Sequence, residues 1–188
     1  PMNDSPDQAQ AWGEWNGLAF QTGTYNLSVW GTLPIYVTRN GSTQSYSIAE
    51  TAATSDVRYG SAGTVTPYGF ISSANNCAKC HDGIYFHGGS REGADTCLTC
   101  HGTAGCEDWP AYASSGAVTA TSGVTVNFRT MLHKIHMGEE LSNASTYTVV
   151  GNSAGTHTYE EVVFPPFPGK AKHCTKCHGD ANTAWKTP

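Results

Sequence analysis

Residues 1–72 contain neither cysteine nor histidine, so no metal chemistry built on thiolate or imidazole ligands resides there. Charge is scarce as well. Asp, Glu, Lys and Arg make up 13% of 188 residues, the balance is −5, and no basic run occurs. Nucleic acid as a partner calls for clustered Lys and Arg, and this composition excludes it. No apolar stretch approaches the roughly 20 residues of a spanning helix, so no transmembrane segment is expected. The start, Pro1-Met2-Asn3-Asp4, lacks the basic and apolar regions of a signal peptide, which implies a processed chain or a piece of a longer one. Apolar residues reach only 38%, beside 21 glycines and 9 prolines. That composition points to a loop-rich chain with little side-chain material for a core.

What the sequence does hold is concentrated. Six of its seven cysteines stand in three copies of one pattern: Cys77-Ala78-Lys79-Cys80-His81, Cys97-Leu98-Thr99-Cys100-His101 and Cys174-Thr175-Lys176-Cys177-His178. C-x-x-C-H is the attachment pattern of haem c. Two intervening residues set both sulfurs under one porphyrin edge, where the thiols add across the vinyl groups. The histidine that follows is held beneath the iron as proximal ligand. Other readings fit less well. The 16 residues between Cys80 and Cys97 suit a four-cysteine zinc site, but zinc does not require His after every second Cys. With 8 His in 188 residues, three such placements by chance are on the order of 10⁻⁴. A disulfide framework leaves the histidines unexplained, and a thioredoxin-like site needs one C-x-x-C rather than three. Three haem c groups are therefore expected, held outside the cytoplasm. Their macrocycles would add apolar surface to the meagre core. Cys106 is left over, as a buried thiol or as a partner for a cysteine on another chain.

The sixth position of each iron decides what such a protein can do: His closes the site for electron transfer, and an open position permits binding and catalysis. Five histidines remain for it: His87, His133, His136, His157 and His173. His133 and His136 lie in Asn127-Phe128-Arg129-Thr130-Met131-Leu132-His133-Lys134-Ile135-His136-Met137-Gly138. This stretch reads as a short helix with Asn127 as N-cap and Gly138 as C′ stop. Three residues turn a helix by about 300° and raise it by about 4.5 Å, so both imidazoles point to one side and can serve two adjacent haems. His87 sits in Phe86-His87-Gly88-Gly89-Ser90-Arg91, where two glycines allow close backbone approach. A distal-ligand role competes there with a hydrogen bond to a haem propionate, and Arg91 suits either a propionate or solvent. His157, in a polar loop, reads as solvated. His173 directly precedes Cys174, so it is poorly placed for the far face of the haem bound there and could instead contact another haem.

The N-terminal part is rich in Thr, Ser, Tyr, Val and Trp. Alternation over residues 25–30 and two β-like runs, 34–38 and 45–48, flanking Arg39-Asn40-Gly41-Ser42 predict strands and a hairpin with an Asn-Gly turn. Five short strands are expected in all. The expected fold is a mostly irregular multihaem cytochrome c domain with short helices and β-hairpins, at residues 73–188. An N-terminal β-rich subdomain or assembly arm, residues 1–72, precedes it. Further strands are expected at 146–150 and 159–164, and the Pro-rich run 164–169 as extended chain.

In order along the chain stand Cys77 to His81, then His87-Gly88-Gly89-Ser90-Arg91, then Cys97 to His101. Met131-Leu132-His133-Lys134-Ile135-His136 follows, then Phe167-Pro168-Gly169, then Cys174 to His178. Over residues 71–180 this string resembles the outer-membrane multihaem cytochromes of metal-reducing bacteria, of the OmcA/MtrC type. The resemblance implies bis-His haems in a domain beside β-rich domains, and it assigns His87, His133 and His136 as distal ligands. Haem domains of that family hold five haems, and three motifs stand here. The function expected is extracytoplasmic electron transfer, at the cell surface or secreted, with the periplasm as alternative. Partners would be other redox proteins, copies of this chain in a filament, or extracellular electron acceptors. A multihaem reductase with one open iron is the competing reading.

Overall fold

The computed structural model describes residues 21–61, 63–67, 69–102, 124–150, 156–179 and 181–187. Cys106 lies outside them. The described chain falls into two compact units, one holding the residues between Cys100 and Cys174, the other Gln21–Thr99 with those from Thr175 on.

The second of these opens with two nested antiparallel pairs. Strand β1 (Gly23–Val29) pairs with β4 (Ala53–Tyr59), and between them β2 (Thr32–Arg39) pairs with β3 (Ser42–Ala49). The turn between β2 and β3 is Asn40-Gly41, with φ of 51° and 77°, the positive values that a right-twisted two-residue hairpin needs. The Asn-Gly expectation is met at those residues. Four strands form among the described residues of this region, and residues 1–20 lie outside those. A hydrogen bond from Glu50 N to Gly31 O (3.0 Å) joins the inner and outer pairs into one ribbon. The β2–β3 hairpin leaves Leu33, Ile35, Tyr36, Val37, Tyr46 and Ile48 exposed, so both its faces carry uncovered apolar groups.

A single helical turn, α1 (Ala74–Cys77), follows the ribbon. Then come the short pair β5 (Tyr85–Phe86) and β6 (Arg91–Glu92), and helix α2 (Ala94–His101). Thr51 Oγ1 donates to Glu92 (3.1 Å), and further contacts fix this region to the ribbon. Thr99 Oγ1 donates to Asn26 Oδ1 (3.0 Å), and Asn26 Nδ2 donates across the β1–β4 pair to Asp56 (2.9 Å). Arg91 lies over the Trp30 ring, 4.7 Å from its centroid, a cation–π contact rather than a solvated position.

The other unit is built on α3 (Phe128–Met137), followed by a 3₁₀ turn at Gly138–Glu140. The helix ends where expected. Gly138 has φ 43°, and a Cβ there would run into the Val162 carbonyl oxygen, so a side chain is excluded sterically as well as conformationally. Asn127, by contrast, stands at the N-cap position without capping. Its side-chain amide donates to Gly102 O (3.3 Å) instead, a tertiary bond in place of a local one. Tyr147 and Val149 are buried, and the Lys134 ammonium lies over the Tyr147 ring at 5.5 Å. The strand expected at 146–150 is reduced to β7 (Val149–Val150), paired with β8 (Thr156–His157). Residues 159–164, expected as a strand, form none. Val162 N bonds back to Tyr159 O (3.0 Å), and Glu139 N takes Val162 O (3.1 Å), so the segment turns to meet the end of α3 instead of extending.

Among the described residues the buried apolar groups are Ala49, Tyr147 and Val149, and no large side chain is fully buried. The architecture is short helices and small antiparallel hairpins.

Candidate functional site

The first motif begins in α1. Cys77 closes that turn, and both Cys80 N and His81 N bond to Cys77 O (3.1 and 3.0 Å). The backbone thereby coils so that the two sulfurs and the histidine emerge from one loop. Cys77, Cys80 and Cys174 form no disulfide. Burial pushes the Cys77 thiol above its ordinary value, which keeps it protonated near neutrality. The second motif lies wholly on α2, whose last two turns carry Cys97, Cys100 and His101. Helical rise sets Cys97 and Cys100 one turn apart on a common face. Cys174 begins a 3₁₀ turn (Cys174–Lys176) that leads to Cys177 and His178. His178 stacks on Trp185, with centroids 5.3 Å apart and planes 22° apart.

Within the ribbon-bearing unit the first motif and the end of the third are brought together, although they are about a hundred residues apart. Ser72 Oγ donates to Cys177 O. Asn76, buried, bonds to Lys79 Nζ, and a Cβ at Gly179 would meet Lys79 Nζ at 3.7 Å and Asn76 Oδ1 at 3.8 Å. Asn182 Nδ2 reaches Phe70 O (3.3 Å). Nothing in the local sequence signals this stitch. Only the polar residues on either side of the motifs hint at it.

His87 occupies the loop between β5 and β6, at φ 51°, followed by Gly88 at 70° and Gly89 at 79°. A histidine in the left-handed region costs roughly 1–2 kcal/mol, and such outliers cluster where an exact side-chain position is required. Ser90 N and Oγ both bond to His87 O (3.4 and 2.8 Å), which holds the loop in that shape.

The strongest regularity concerns imidazole tautomers. His133 Nδ1 lies 2.6 Å from Arg129 O, His136 Nδ1 2.8 Å from Leu132 O, His101 Nδ1 2.9 Å from Val126 O, and His173 Nδ1 3.0 Å from Pro168 O. A carbonyl oxygen can only accept, so each Nδ1 carries the hydrogen. In the neutral ring Nε2 then holds a lone pair, the state in which histidine binds a metal and the outer contact that orients such a ligand. The donor chemistry therefore fits haem iron at these positions. His101 and Asn127, bonded to Val126 O and Gly102 O, join residues 101–102 to the start of α3 within one unit. His157 lies exposed on β8. Among the described residues no three His, Cys, Asp or Glu side chains gather as a ligand shell for a lone metal ion.

Residues 70–187 match the family model for outer membrane cytochromes, MtrC/MtrF-like, domains II/IV. The chain belongs to this family. No curated protein matches it, and no solved structure does. The family assignment agrees with the resemblance carried by the motif string from Cys77 to His178. As an MtrC/MtrF-like cytochrome the chain is an extracytoplasmic electron carrier that uses c-type haem and works with other redox proteins. Among its described residues no helix is long and apolar enough to cross a membrane.

Proposed function

We propose that this MtrC/MtrF-like chain conducts electrons through three covalently bound haems, each closed by two imidazoles, as a segment of an extracellular electron conduit. The observation that carries this reading is the pairing of three C-x-x-C-H motifs with distal candidates already set for metal. His133 and His136 are fixed by Nδ1 bonds to Arg129 O and Leu132 O, and His87 is held in a strained loop.

Cys77 with Cys80, Cys97 with Cys100, and Cys174 with Cys177 hold the macrocycles. His81, His101 and His178 stand as proximal ligands, and His87, His133 and His136 as distal ones. Bound haem c supplies a one-electron iron couple whose potential bis-His ligation keeps low. The protein holds the His101, His133 and His136 imidazoles at a fixed tautomer through Nδ1 bonds to Val126 O, Arg129 O and Leu132 O. The sparse apolar core supports the reading too, because macrocycle faces would complete it. Residues 73–188 form the trihaem domain in this scheme, and residues 1–72 a β-rich arm. The exposed apolar faces of the β2–β3 hairpin suit assembly with copies of the chain into a filament.

The test is spectroscopic. The holoprotein should carry three haems by mass, show only low-spin ferric signals and bind no CO when reduced. One CO-binding iron per chain would instead favour the reductase reading. His133→Ala and His136→Ala should each open one iron to CO.

A further inference from the structure

His173 is anchored like the distal candidates, yet three irons with His87, His133 and His136 leave it no iron of this chain to bind. We propose that His173 is a haem-iron ligand offered outward, to a c-type haem with an open sixth position carried by another cytochrome. This rests on the reading that the chain's own irons are closed.

Two contacts hold the ring itself and the turn fixes the backbone that carries it. The Nδ1 hydrogen is committed to Pro168 O at 3.0 Å, and the side chain is exposed. Nε2 therefore presents its lone pair in the ligand tautomer. The turn is shaped around this residue: Gly169 has φ 82°, and a Cβ there would stand 3.1 Å from His173 Cβ, tighter than ordinary packing allows. His173 N closes the same turn on Lys170 O (3.1 Å). The ring is also braced. Its centroid lies 6.3 Å from that of Phe167, edge to face. Phe167 lies 5.3 Å from Phe164, and Phe164 lies 5.7 Å from His136. Four rings thus run in contact from His136 to His173, and edge-to-face pairs of this kind fix orientation.

Its place in the chain gives the arrangement a use. Cys174 follows directly, too close for the imidazole to reach round to the far side of the haem bound there. An iron coordinated at His173 would sit beside the third attachment motif and at the end of the ladder leading from His136. In the neutral ring the lone pair already stands on Nε2, so coordination displaces only the water on the incoming iron. A copy of this chain, its irons closed, is not the partner. The partner is a cytochrome with a five-coordinate or water-ligated haem.

The holoprotein can be titrated with a ferric haem peptide of the c type that has one axial histidine and an open sixth position. Wild type should convert the peptide from high to low spin with one saturable site per chain. His173→Ala should weaken that site tenfold or more and His157→Ala should leave it unchanged, both variants retaining the wild-type spectrum of their own haems. Equal binding by wild type and His173→Ala overturns the proposal. So does a CO-binding iron appearing in His173→Ala itself, since that places His173 on one of the chain's own haems. His133→Ala and His136→Ala separate the two levels: if neither opens an iron, the closed-haem reading fails whatever the peptide titration shows.

Discussion

Replacing Gly138 by alanine tests the joint on which the His133–His136 helix turns back. At φ 43° a non-glycine residue pays roughly 1–2 kcal/mol for conformation alone. Its Cβ would also collide with the Val162 carbonyl, and clearing the collision breaks the Glu139 N to Val162 O bond of 3.1 Å, about 1 kcal/mol more. The total is roughly 2–3 kcal/mol, which in a chain of this length lowers the unfolding midpoint by about 5–10 °C. Gly41→Ala is the matched control. Gly41 has φ 77°, but nothing lies within 4 Å of where its Cβ would be, so only the conformational part applies and the shift should be about half. The assay is heat unfolding of the holoprotein followed at the Soret band and by far-ultraviolet circular dichroism. Displacing Val162 also draws on Phe164, two residues on, whose ring packs on His136. The low-spin resonance of one haem should therefore broaden in Gly138→Ala and not in Gly41→Ala. Equal midpoint shifts in the two variants would refute the collision argument.

Other outcomes follow from single contacts. Thr99→Val removes the Oγ1 bond to Asn26 Oδ1 and should cost about 1 kcal/mol, read as faster amide exchange in β1 and β4. Arg91→Ala loses the contact over Trp30, worth about 0.5–1 kcal/mol at such a site. A double-mutant cycle with Trp30→Ala should return that coupling and no more. The ion pairs of Lys170 with Glu140 (2.9 Å) and Glu139 (3.4 Å) predict a pH window. The Lys170 hydrogen bond holds the Glu140 carboxyl below its ordinary value of 4.5, so its contribution is present above that value and lost as pH falls through the lowered one. The Glu140 hydrogen bond holds Lys170 above 10.5, so its contribution is complete below 10.5 and lost as pH rises through the raised value. Glu140→Gln should flatten the acid limb of amide protection around residues 138–141, a small effect because the pair is exposed.

Legibility in the sequence followed the range of the interactions involved. Asn40-Gly41 and the helix from Phe128 to Met137 were readable because turn geometry and the 3.6-residue period are written into neighbouring residues. The three C-x-x-C-H motifs were readable for a related reason, since each pattern lies within five neighbouring residues. Where the reading failed, a distant partner had won. Asn127 gave its side chain to Gly102 instead of capping, and residues 159–164 surrendered strand pairing to meet Gly138. The tautomers of His101, His133, His136 and His173 depend on carbonyls whose positions only the folded backbone defines. No pattern in the sequence ranked His173 beside His133 and His136.

The bond from Ser72 to Cys177 spans 105 positions, and this bears on how the protein is made. Joining points that far apart in a flexible chain carries a closure entropy of about 4 kcal/mol, and contacts of such range form late. As the polypeptide is threaded outward, the first motif is exposed and ready for its cofactor long before the segment that packs against it exists. On the function proposed above, the first haem would be attached before the segment holding Cys177, Gly179 and Asn182 has met Ser72, Lys79 and Phe70. Maturation order would thus be part of the fold, and a chain whose third attachment is blocked should leave the first haem solvent-exposed and prone to reduction by small external reagents.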